Sequence, residues 1–117
     1  MINIVRLYNV AAWNQDGITI DIYISLGSHL HSVVLKHRGE QGSMGVRTRT
    51  VDSIVRKLGL RRVDLIKIDV EDIEVEVIGG ATSTLQRFTP IIVAEVFRFN
   101  FRRFVKLLSD LYYNVYL

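Results

Sequence analysis

Three acidic side chains within four residues, Asp69, Glu71 and Asp72, close the apolar run at residues 63–70, and a fourth, Glu95, lies in Ile92-Val93-Ala94-Glu95-Val96. Carboxylates at the mouth of a buried strand can bind a metal ion, orient an amine or hydroxyl, or act as a base. Asp69 ends an isoleucine-rich strand, where an acid has no packing role, so it is a candidate site residue. Glu71 and Asp72 also suit the positive N-terminus of a following helix, which is a purely structural use. Glu95 inside an apolar strand is costly unless it has a partner or reaches a cleft. Both readings stay open for it. Lys67 either points to the same end or carries its charge past the helices to solvent.

The other chemistry-bearing groups are less organised. His29 and His31 would share one face of a strand, but His37 adds no recognisable metal-ligand spacing, so loop histidines are the simpler reading. Arg47 and Arg49, Arg61 and Arg62, and Arg98, Arg102 and Arg103 read as exposed faces, with a phosphate-bearing ligand as the alternative. No G-x-G-x-x-G, Walker loop or G-x-S-x-G is present. Zero cysteines exclude a disulfide framework, thiolate metal sites and cysteine nucleophiles.

The elements that must position these acids can be read from periodicity. Residues 2–10 are rich in Ile and Val and read as a strand. Asn14-Gln15-Asp16-Gly17 is a turn. Residues 18–26 alternate, with Ile18, Ile20, Ile22, Ile24 and Leu26 on one face, as in a half-buried strand antiparallel to a neighbour. Residues 27–45 read as a glycine-rich loop holding a short strand at 32–36, and residues 46–49 as another strand. Thr50 caps a helix with Val51, Ile54, Val55 and Leu58 inward, ended by Gly59. Residues 63–70 read as a strand covered on both faces. A helix follows with Ile73, Val77, Ile78 and Ala81 inward and Glu74 and Glu76 outward, broken at Gly79-Gly80 and resuming through Leu85. Pro90 opens a buried strand at 91–96. Asn100 caps a last helix burying Phe101, Phe104, Val105, Leu108 and Leu111, and residues 113–117 read as a final strand.

Strands alternating with helices from residue 46 onward mean an α/β domain with a largely parallel sheet and right-handed crossovers. Ligands in such sheets sit beyond the carboxyl ends of the strands, where Asp69, Glu71 and Glu95 fall. The 117 residues make one domain. Fifteen basic against twelve acidic side chains leave +3, too small an excess to mark a specific nucleic-acid binder. No apolar run is long enough to span a membrane, and the N-terminus lacks the form of a secretory signal, which points to the cytoplasm.

Thr50-Val51-Asp52-Ser53-Ile54, a helix, then Asp64-Leu65-Ile66-Lys67-Ile68-Asp69-Val70-Glu71 form an ordered series. It continues with Glu74, Gly79-Gly80-Ala81, Leu85, Pro90 and Ile91-Ile92-Val93-Ala94-Glu95. The series resembles the signature of the FkbM-type methyltransferases, and the resemblance covers nearly the whole chain. V-D-x-L-K-I-D also occurs in EAL-type phosphodiesterases, but their acidic glycine-rich loop has no counterpart here. The resemblance implies a partial Rossmann-like methyltransferase fold, mostly parallel with an antiparallel hairpin near the N-terminus. It implies S-adenosylmethionine as methyl donor and a hydroxyl of a sugar or other small molecule as acceptor. Asp69, Glu71 and Glu95 would then line the transfer pocket, one of them orienting or deprotonating the acceptor, while Asn9 and Ala11 fall where the adenine lies.

Two departures from the family pattern matter. Asp72 stands where the family has the glycine of V-E-G-A-E. The family's glycine-rich loop and ribose-binding acid have no counterpart, since residue 2 already corresponds to the third strand. That leaves a methyltransferase fragment or, alternatively, a catalytically silent half-domain serving in assembly or as one piece of a split enzyme. Either leaves a sheet edge at residues 2–10 open to a second copy or a partner chain.

Overall fold

A computed structural model describes residues 4–23 and 43–117. The element order is β1 (Ala11–Ala12), β2 (Thr19–Tyr23), β3 (Ser43–Arg49), α1 (Val51–Leu58), β4 (Leu65–Ile68), α2 (Glu74–Gly79), α3 (Thr82–Phe88), β5 (Ile91–Ala94) and α4 (Phe101–Asp110). The mixed α/β class is as the alternation implies. The strands form two small sheets, however: a three-stranded one in the order β1-β3-β2 and a two-stranded one, β4-β5.

In the first sheet β2 runs antiparallel to β3, with Ile20 opposite Val46, and β1 is parallel to β3. Ile20 is buried and Thr19 exposed, so the alternation reads correctly over the part that is described. The expected strand at residues 2–10 does not form among the described residues, and Ile4 and Leu7 are exposed. A strand exists by pairing, and β3 meets β1 only through Thr48 and Arg49. The remainder of residues 4–10 therefore has no ladder there to join. The three histidines and the strand expected at 32–36 lie outside the described residues.

Residues Thr50 and Gly59 delimit α1 as expected. The Ser53 N–H donates to Thr50 Oγ1 at 3.0 Å, and Gly59 takes a left-handed φ of 60°. Asp16 adds a second cap, accepting from Thr50 N at 2.8 Å and from Ser53 Oγ at 2.9 Å. The Thr50 N–H chiefly holds the Asp16 carboxyl below its usual range. Ser53, Arg49 and the Thr50 hydroxyl assist, against a partial desolvation. Asp52 reaches across to α3, accepting from Ser83 N at 3.0 Å and from Thr84 N at 2.8 Å. One helix thus caps the next.

The second sheet is the parallel pair expected from the two apolar runs, with Leu65 opposite Ile91 and Ile68 opposite Ala94. The crossover through α2 and α3 covers one face, where Ile68, Ile73, Val77, Ile78, Ala81 and Leu85 join Trp13, Phe104 and Leu108 in the core. The other face is open, contrary to the expectation of cover on both sides. Leu65, Ile91 and Val93 are 58%, 68% and 52% exposed. A run of apolar residues signals that both faces are apolar, but it cannot supply the layer that covers the second.

Two further expectations fail. Residues 113–117 join no ladder. Tyr112 turns the chain with a φ of 64°, and Tyr113 is then held by its N–H on Leu108 O and by its hydroxyl donating to Pro90 O at 3.0 Å. Desolvation raises the Tyr113 pKa. Glu74, expected to face solvent, is fully buried.

Candidate active site at the strand ends

Because β4 and β5 are parallel and in register at Ile68 and Ala94, Asp69 and Glu95 follow side by side at the carboxyl ends. The Glu95 N–H donates to Ile68 O at 3.3 Å, which carries the pairing one residue past the strands. Side chains alternate along each strand, so Asp69 and Glu95 lie on the open face with Lys67 and Val93. Both acids are exposed and Glu71 is half-buried. Lys67 Nζ lies 3.7 Å from Asp69 Oδ2, with both side chains more than two-thirds exposed. Such a surface pair contributes at most about 1 kcal/mol. It leaves Asp69 free to exchange Lys67 for another partner.

Residue 72 supports the family's pattern from an unexpected direction. Asp72 adopts φ 68°, the left-handed region where glycine is at ease, and its Oδ1 is enclosed without a hydrogen-bond partner among the described residues. The backbone therefore keeps the conformation a glycine would take, and the aspartate is strained into it. Asp72→Gly is expected to raise stability by about 1 kcal/mol, through relief of φ strain and removal of the unpaired oxygen, less the glycine entropy cost. Asp72→Ala, which keeps the strain, should gain less. Urea unfolding midpoints of the two variants check the order.

Glu74 and Asn100 are the residues that sequence reasoning missed. Glu74 Oε1 accepts from Phe97 N at 3.3 Å and Oε2 from Asn100 Nδ2 at 2.9 Å. The same amide donates to Asp72 O at 3.1 Å. Asn100 thus ties α2 to the β5–α4 turn with its side chain rather than capping α4, for which it makes no side-chain bond. Together they hold the loop after β4 against the loop after β5, and so fix the spacing between Asp69–Glu71 and Glu95. The signal was an acid on a helix whose other face is apolar, which looks the same whether it meets water or a buried amide.

Of the residues expected on the cofactor side, Ala11 lies in β1 of the other sheet and Asn9 in the segment before it. Ala11 is packed into the core, and Asn9 is exposed beside a cleft of about 320 Å³ bordered by Arg47 and Arg49. None of the three candidate acids borders that cleft. Among the described residues no group of three or more His, Asp or Glu could hold a metal ion, and no helix is long and apolar enough to cross a membrane.

The domain is α/β, with acids just beyond the carboxyl ends of two neighbouring parallel strands joined by a helical crossover. Residues 3–115 match the model of the methyltransferase FkbM domain, and the chain belongs to that family. No curated protein and no solved structure is similar enough to count as a match.

Proposed function

We propose that this chain forms the acceptor side of an S-adenosylmethionine-dependent methyltransferase acting on a hydroxyl of a sugar or other small molecule. The observation that carries the reading is the juxtaposition of Asp69 and Glu95 at the ends of β4 and β5, with Glu71 following. Carboxylates so placed accept hydrogen bonds from an acceptor hydroxyl and orient it. One of them takes its proton as the oxygen becomes nucleophilic. Methyl transfer depends chiefly on alignment, so the rigid spacing set by Glu74 and Asn100 is the protein's main contribution here. The reading takes β4 and β5 as part of a Rossmann-like sheet.

The described residues do not make a holder for the donor. Ala11 packs into the core rather than facing a ligand, and the cleft beside Asn9 is bordered by Arg47 and Arg49, the wrong sign for a sulfonium. The sequence holds no G-x-G-x-x-G, and among the described residues no glycine-rich loop follows a strand. On this reading the donor is held by a segment outside the described residues, in this chain or another. The open face of Leu65, Ile91 and Val93 is an apolar surface for such a segment, or for a second copy, to cover. The same open face favours the second reading, a silent half-domain used in assembly.

Calorimetric titration of the 117-residue chain with S-adenosylmethionine tests this. Missing contacts to the methionine and ribose parts are charge-assisted bonds of about 1.5–3 kcal/mol each. Two or three of them shift a micromolar affinity to about millimolar. Millimolar or undetectable binding is expected. Micromolar binding would restore a self-sufficient enzyme and overturn the proposal.

A further inference from the structure

We propose that the cleft between residues 8–10 and α1 binds a small molecule bearing a diphosphate, of the size and chemistry of a nucleoside diphosphate. This inference is independent of the methyl-transfer reading. The cleft, about 370 Å³, is lined by Tyr8, Val10, Arg49, Ile54, Arg56 and Lys57 among others. A second cleft of about 320 Å³ shares Val10 and Arg49 with it and adds Asn9 and Arg47. Each lies at the lower end of the usual range for ligand sites, and the two adjoin.

The charge is one-sided. Arg56 and Lys57 lie in the last turn of α1, and Arg49, the last residue of β3, lines the same cleft. None of Arg49, Arg56 and Lys57 makes an ion pair or side-chain hydrogen bond among the described residues. Among the described residues Arg47 makes one weak bond, 3.3 Å to Gly17 O. Of the nearby acids, Asp52 is bound to Ser83 and Thr84. Asp16 accepts from Thr50 and Ser53 while also attracting Arg49, and Asp21 stands on β2 opposite Gly45. None of the three lines either cleft. The negative end of α1 explains a cation at Arg56 or Lys57. It does not explain Arg47 and Arg49, which lie beyond the helix's positive end, where cations are disfavoured.

An oxyanion answers this arrangement. Guanidinium groups bind phosphate oxygens through paired N–H donors, and Lys57 supplies a mobile third charge. Between them Val10 and Ile54 give an apolar wall, and Tyr8, 40% exposed, offers a ring face to a base or sugar. A single inorganic phosphate would leave that wall and ring unused.

The test is calorimetry at low ionic strength, where surface charge is least screened, with inorganic pyrophosphate, ADP and adenosine as the probes. The proteins are the chain itself, Arg56→Gln with Lys57→Gln, and an equal-charge control, Arg102→Gln with Arg103→Gln. All four side chains are exposed, so both variants keep the fold, which far-UV circular dichroism verifies. The expected result is ADP binding below about 1 mM, with adenosine at least about tenfold weaker. The Arg56/Lys57 variant should lose about tenfold or more and the control less than about twofold. Pyrophosphate should bind more weakly than ADP, by the contribution of the wall and Tyr8. Equal losses in both variants, adenosine matching ADP, pyrophosphate matching ADP, or no binding of either anion would overturn the proposal.

Discussion

Replacing Gly80 with alanine is expected to cost at least about 3 kcal/mol, a large share of a small domain's total stability. A Cβ built there lies 2.0 Å from the carbonyl oxygen of Trp13, 3.1 Å from its carbon and 3.2 Å from Thr50 Cβ. Backbone cannot swing aside as a flexible side chain can, so the helix junction or the Trp13 strand end must move. Conformation is not the obstacle, because Gly80 has φ −86°, which any residue adopts. Asp52 N also donates to Gly80 O at 2.9 Å, so a shift at this point disturbs α1 as well. Gly79→Ala is the control: its Cβ meets only Asn14 Cβ at 3.4 Å, and alanine favours the helix there by up to about 1 kcal/mol. Urea denaturation should show Gly79→Ala at or above the parent midpoint and Gly80→Ala far below it. Similar midpoints for the two would mean that the close approach to Trp13 does not exist.

Truncating Glu74 to alanine is the next largest effect, about 3 kcal/mol. The carboxylate is fully buried and accepts from Phe97 N and Asn100 Nδ2, and hydrogen bonds to a charged group are worth about 1.5–3 kcal/mol apiece. Removing it strands two donors in the interior, and the void adds to the cost. Asn100→Ala should cost less, because Glu74 keeps its bond to Phe97 N, though Asp72 O loses its donor. The double variant should fall short of the sum by about 1–3 kcal/mol, as residues in one buried network do. Strict additivity would show that Glu74 and Asn100 do not share a bond. Glu74→Gln should be intermediate, since its amide places a donor against one of the two existing donors.

The Asp69–Glu95 pairing and the burial of Glu74, read as outward-facing, mark where sequence reading holds and where it stops. Two apolar runs ended by acids and joined by a helical stretch left one arrangement, a parallel pair with a crossover, because βαβ connections are constrained in hand and order. Local signals were equally sufficient for α1: Thr50, Asp52 and Gly59 act within a few residues of their own position. Long-range partners were not legible. Asp52 read as a first-turn acid, yet its carboxylate serves α3, 31 residues away. Glu74 read as solvated because amphipathicity reports polarity and not whether a distant amide will meet it. The strands expected at residues 2–10 and 113–117 failed for a related reason. β-propensity describes a surface ready to pair, and pairing needs a free edge in reach. Asp72 was legible only in part: the family pattern showed a glycine replaced, and the structure adds that the backbone still holds a glycine's φ.

The central claim is that Asp69 and Glu95 stand together at the carboxyl ends of adjacent parallel strands and so form one site. The chain has no cysteine, so Asp69→Cys with Glu95→Cys can be labelled with nitroxides and each single variant serves as its own control. Strand spacing of about 5 Å predicts strong dipolar broadening of the double-labelled spectrum at low temperature, absent from both singles. A double-labelled spectrum equal to the sum of the singles would place the two acids apart, and the account of the site would fail with it.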